Sequence, residues 1–112
     1  MEKYIVNGAV AVLFSPGFGA GWSTWNNGRE WNGQDLGKVL LYAPAIVEMV
    51  LAGIEDSEIA SYCDKFYDGH GYFGGADGLQ VEWMPVGTEF VVHEYDGSES
   101  IRYKEKSVWS VA

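Results

Sequence analysis

The spacing of hydrophobic positions changes repeatedly along this chain, and each change predicts an element. Tyr4-Ile5-Val6 and Ala9 to Phe14 are β-forming runs joined by Asn7-Gly8, the pair that best supplies the two positive-φ positions of a tight hairpin turn. An opening hairpin is predicted. From Ser15 to Gly28 the sequence SPGFGAGWSTWNNG interrupts every period with glycine, proline and asparagine, so it reads as one long loop. Loops of that length inside a small domain are uncommon and carry function more often than average.

Helical spacing follows. Pro44 suits the first turn of a helix and Gly53 the position just past its end, which predicts a helix near residues 44 to 52. Ile46, Val47, Val50 and Leu51 share its inner face, and Glu48 points to water. A second helix is predicted to begin with Asp56 or Ser57 as N-cap, with Asp56 and Glu58 complementing its positive end. Its inner stripe is Ile59, Cys63 and Phe66, with Tyr62. Asp68-Gly69-His70-Gly71 ends it and leads into a second glycine-rich loop, Tyr72 to Gly75.

After Asp77-Gly78 the period becomes two. Leu79, Val81 and Trp83 share one strand face; Gln80, Glu82 and Met84 share the other. Pro85-Val86-Gly87 turns the chain into a strand over Thr88 to Tyr95, and Asp96-Gly97 offers a hairpin turn into Ile101-Arg102-Tyr103. Val108 to Val111 reads as a last strand. The order predicts an α+β fold, with an antiparallel sheet of about five to six strands and two short helices between an N-terminal hairpin and a C-terminal meander. Residues 1–112 read as a single domain.

Composition supports folding, since 47% of residues are hydrophobic and 15% aromatic, enough apolar surface to offset the ordering entropy. Met1 to Gly8 lacks the basic region and long apolar run of a signal peptide, and Val39 to Leu51 is too short and too interrupted to span a membrane. A cytoplasmic location follows as the expectation. Cys63 is the only cysteine, which excludes an internal disulfide and a cysteine-rich zinc cluster.

Charge is uneven. The net charge is −9; residues 1–53 carry four acids and three bases, and residues 54–112 carry twelve acids and four bases. Direct nucleic-acid binding needs clustered lysine and arginine and is disfavoured. A basic protein surface is the partner such a field attracts, with self-association into a homodimer left open.

Two stretches carry a resemblance. LFSPGFGAGWSTWN from Leu13 to Asn26, and GTEFVVHEYDGSES from Gly87 to Ser100, resemble a family of small uncharacterised proteins of tailed bacteriophages and prophages. The resemblance implies a viral origin and action in the cytoplasm of an infected bacterium, and it brings no catalytic role with it.

Candidate chemistry divides between two regions. The loop offers Ser15, Gly19, Gly21, Trp22, Ser23, Thr24, Trp25 and Asn26, a set of backbone N–H groups, hydroxyls, an amide and indoles that suits a small polar ligand with a flat ring. It lacks the lysine of a P-loop and the βαβ setting of a dinucleotide fingerprint. The competing reading is a rigid loop whose tryptophans plug the core. The turn region offers Glu82, Glu89, Glu94, Tyr95, Asp96 and Glu99, spaced negative charge that mimics a phosphate backbone toward an arginine-rich surface; here the competing reading is a solvated hairpin. His70, His93 and Cys63 show no metal-ligand spacing, and no metal, cofactor or catalytic constellation is predicted.

The sequence therefore points to a non-catalytic phage accessory protein that counteracts a host factor, in antiviral defence, by binding a host protein through an acidic surface. Sequestration of a small signalling molecule by loop 15–28 is the alternative, and a small hydrolase or transferase is the second alternative.

Overall fold

A computed structural model of the chain describes residues 1–104, and over these the α+β class holds. The opening hairpin forms as expected. Strands β1 (Ile5–Val6) and β2 (Ala9–Phe14) pair antiparallel around Asn7 at φ 50° and Gly8 at φ 77°. β2 is apolar at consecutive positions because both of its faces are covered: Val10 through Leu13 are all buried.

A hairpin of β3 (Glu30–Trp31) and β4 (Gln34–Asp35), absent from the sequence reading, follows the long loop. It leads directly into α1 (Leu36–Tyr42), also unanticipated, so the chain has three α-helices rather than two among the described residues. Asp35 caps α1 by accepting from the Gly37 N–H at 3.1 Å. Gly37 in the first turn argues against a helix by propensity, yet it is required here: a Cβ would collide with the Asn27 side chain and the Ser23 carbonyl. The helix lies that close to the loop. Ala43, held extended before Pro44 at ψ 107°, separates α1 from α2 (Pro44–Leu51).

The next helix, α3 (Asp56–Phe66), takes Glu55 as its N-cap, one residue earlier than expected. Ile59 and Cys63 face the core, but Phe66 is 52% exposed and does not belong to the inner stripe.

The expected sheet of five to six strands is instead a three-stranded sheet, β1-β2-β5, with β5 at Gln80–Pro85, and two separate hairpins. Among the described residues, β6 (Phe90–Tyr95) and β7 (Ser98–Tyr103) pair only with each other. The reason is burial. One face of the sheet carries Ala11 and Leu13 against Trp22, Leu36, Leu40, Ile46, Ile59 and Cys63. The other carries Val10, Val12 and Met84, and it is covered by Leu41 and Tyr42 of α1 with Phe90 and Ile101 of the β6–β7 ribbon. Extending β5 edgewise would have left that second face open to water. The strand expected at Val108 to Val111 lies outside the described residues.

Among the described residues, no helix is long and apolar enough to cross a membrane.

Candidate functional site

The loop and the acidic turn, joined by hydrogen bonds that span 69 to 84 residues of sequence, form one structure. At its centre is Glu99, 1% exposed. Its Oε1 accepts from the Ser15 N–H at 2.9 Å. Its Oε2 accepts from the N–H groups of Trp22 (2.9 Å) and Thr24 (3.1 Å) and from the Thr24 hydroxyl (2.5 Å). The Glu99 N–H donates to the Ser15 carbonyl at 2.7 Å. Four donors converge on one buried carboxylate, which is how a charge is kept out of water where, among the described residues, no cation pairs with it. Glu99 is thus removed from the exposed acidic set in which the sequence placed it; its negative charge faces the loop, not a partner.

Trp22 fills the space below. It is fully buried against Phe73 at 6.1 Å between ring centroids, and its indole N–H donates to the Leu40 carbonyl at 2.8 Å. Asn26, also fully buried, uses its whole amide: Nδ2 donates to the carbonyls of Trp22 and Tyr72, and Oδ1 accepts from the Tyr72 N–H, each at 2.8 Å. Ser15 and Ser23 are buried as well, and the Ser15 hydroxyl donates to the Asp77 carbonyl at 3.2 Å. Gly21 is buried and Gly19 exposed, the latter donating its N–H to the Asp96 carbonyl at 2.8 Å. Most of the groups that the sequence offered to a ligand are therefore engaged inside the protein. Trp25 keeps part of its ring at the surface. It is half-buried, packs on Tyr72 at 5.4 Å, and donates its indole N–H to Glu94 at 2.5 Å.

The turn sits on this base. Asp96 (φ 49°) and Gly97 (φ 83°) make the tight β6–β7 turn, and a Cβ on Gly97 would run into the Ala20 backbone nitrogen. The Ser98 hydroxyl donates to the Pro16 carbonyl at 2.7 Å. Above that seam Glu94 and Asp96 are exposed and Tyr95 is 75% exposed. The remaining predicted acids lie elsewhere. Glu89 is exposed and pairs with Lys104 at 2.9 Å, a surface ion pair of small worth. Glu82, half-buried on β5, accepts from the Tyr103 hydroxyl, a bond that raises the pKa of that phenol. Glu82 and Glu89 do not lie on paired strands, since β5 pairs with β2.

His70 and His93 are both exposed. Cys63 is fully buried, and burial, with Asp64 adding to it, pushes its thiol up to about 12. That is the opposite of an activated nucleophile, whose thiolate is stabilised. Among the described residues no group of three or more His, Cys, Asp or Glu is arranged to hold a metal ion.

Residues that the sequence did not flag complete the picture. Tyr72 is the backbone strap for Asn26 and the ring under Trp25. A separate aromatic cluster of Trp31, Tyr62, Phe66 and Tyr67 lines a surface cleft. Its one local signal is Tyr62 and Phe66 at four-residue spacing on a helix, the spacing of neighbours on one face. Compared with protein-family models, with curated proteins and with solved structures, the chain matches none.

Proposed function

We propose that this protein acts by binding rather than by catalysis, docking the basic surface of another protein through the acidic turn of the β6–β7 ribbon. The observation that carries this reading is the combination of exposure and support at one place. Glu94, Tyr95 and Asp96 are exposed, while the strand beneath them is fixed to the loop by Glu99 and its four donors. A preorganised turn loses little conformational entropy when it docks, an exposed tyrosine is a residue type that anchors interfaces, and the acids beside it steer a basic partner. The inward engagement of Ser15, Trp22 and Asn26 supports this reading over capture of a small molecule by the loop.

The resemblance to phage proteins supports the setting: a phage-encoded inhibitor that counteracts a host factor, in antiviral defence, within the bacterial cytoplasm. The acidic turn then works as a mimic of nucleic-acid charge. Steering by such a field weakens as salt shortens the Debye length from about 10 Å at 0.1 M.

The test joins phage plating on a panel of defended bacteria with capture of partners from their lysates over a salt series. Rescue of plating, with capture of a basic protein that falls with salt and is lost in a Glu94→Gln, Asp96→Asn variant, supports the reading. Capture that is indifferent to salt and to both substitutions overturns it. So does release of a small molecule on denaturation with no protein captured.

A further inference from the structure

A cleft of about 420 Å³ lies between the N-terminal segment, the start of α2 and α3, on residues that neither the loop nor the acidic turn uses. One side of it is aromatic, formed by Trp31, Tyr62, Phe66 and Tyr67, and the other carries Val39, Ala43 and Pro44. Trp31 meets Tyr67 edge-on at 4.8 Å and tilts against Phe66 at 5.8 Å, and Tyr62 stacks on Phe66 at 5.5 Å with 16° between planes. Phe66, at 52% exposure, presents much of its ring to the outside. Among the described residues, Glu2 is the one lining residue with a charged side chain. Along α3 the four-residue row through Tyr62 and Phe66 begins with exposed Glu58.

Aromatic faces with the Glu2 carboxylate in the lining and Glu58 one helical turn before Tyr62, on a chain of net charge −9, are complementary to a cation with a flat or weakly hydrated head. Guanidinium fits best among side chains: it stacks on aromatic rings, is less strongly hydrated than an ammonium, and pairs with carboxylates through its fork of donors. A purely apolar occupant would gain nothing from Glu2 and Glu58. We propose that this cleft receives an arginine side chain of a basic protein partner, its guanidinium against the Trp31 and Phe66 rings and its charge offset by Glu2 and Glu58. The proposal rests on the basic-partner reading above and adds a second, chemically distinct contact to it.

The experiment is an NMR titration of the full chain with two short Gly/Ser peptides that differ only in a central arginine or its uncharged counterpart citrulline. The arginine peptide is expected to shift the Trp31 indole and the Tyr62 and Phe66 ring resonances. Citrulline should bind roughly threefold to tenfold more weakly, the range of one cation–π contact. Phe66→Ala should weaken the arginine peptide by a similar factor. Tyr62→Leu, which keeps bulk but removes a ring, should weaken it less, and the Glu94→Gln, Asp96→Asn variant should bind it as the unmodified chain does. Equal affinity for both peptides would show a plain apolar groove and overturn the proposal. Shifts confined to the 94–96 turn, concentration-dependent shifts in the cleft without peptide that mark a second copy of the chain, or no shifts at all would overturn it too. The two readings fail separately: loss of partner capture on neutralising the turn, with no arginine effect in the cleft, removes only the cleft. Loss with Phe66→Ala and not with the neutralised turn removes only the turn.

Discussion

Glu94 and Glu99 stand directly opposite each other on β6 and β7, and each carboxylate is bound to a different tryptophan of the 15–28 loop. Like charges at this cross-strand distance oppose pairing. Here each is offset by its own donors: the Trp25 indole and the Gly97 N–H for Glu94, and the Trp22 and Thr24 N–H groups, the Thr24 hydroxyl and the Ser15 N–H for Glu99. The ribbon and the loop therefore stabilise each other.

Glu99→Gln keeps the shape of the side chain but turns an amide N–H₂ toward donors that need an acceptor. Leaving a buried donor unsatisfied costs about 1–3 kcal/mol, so the variant should lose on the order of 2–4 kcal/mol in urea denaturation. Amide exchange at Ser15, Trp22 and Thr24 should accelerate ahead of the core strands. A loss below about 0.5 kcal/mol would show that the four-donor site is not what holds the loop.

The two loop tryptophans should behave differently. Trp22→Ala empties a fully buried site in the main core and should cost about 3–5 kcal/mol. Trp25→Ala removes a half-buried ring, one contact with Tyr72 and one bond to Glu94, and should cost about 1–2 kcal/mol. Thermal denaturation of both variants checks the order, and equal losses would contradict the division of the loop into a buried plug and an outer face.

Tyr95→Ala should leave folding unchanged within about 0.5 kcal/mol, because the ring is 75% exposed. If the turn is the docking element, the same substitution should weaken partner capture by roughly tenfold or more, the cost of losing an interface anchor of about 1.4 kcal/mol or above. Unchanged capture would remove Tyr95 from the interface.

Cys63 sets an alkaline limit. Its thiol ionises near 9.0 when unfolded and is pushed up to about 12 in the fold, so the folded state retains a proton that the unfolded chain releases. The stabilising contribution is complete below about 9 and is lost as pH rises from there toward 12. Native protein should resist thiol reagents at pH 8 and react after unfolding. In Cys63→Ala the alkaline decline of stability should be shallower; an identical decline would locate the effect elsewhere.

What the sequence determined by itself is local. Asn7-Gly8 and Asp96-Gly97 announced their turns because positive φ at both central positions needs those residues, and Pro44 and Gly53 bracketed α2 because a helix tolerates proline only at its start. The plugging role of Trp22 was open to reading as the alternative to a ligand loop. Gly37 hid α1, since the tight approach to Asn27 and Ser23 that requires glycine comes from packing. The exposure of Phe66 was likewise invisible in an apolar stripe. Only the tertiary structure decided which acids face water: Glu94 and Glu99 look alike in the sequence, but the donors that bury Glu99 lie 84, 77 and 75 residues away. The physical reason is that period and turn chemistry act between neighbours in the chain, whereas a buried carboxylate is defined by donors that only the fold brings to it.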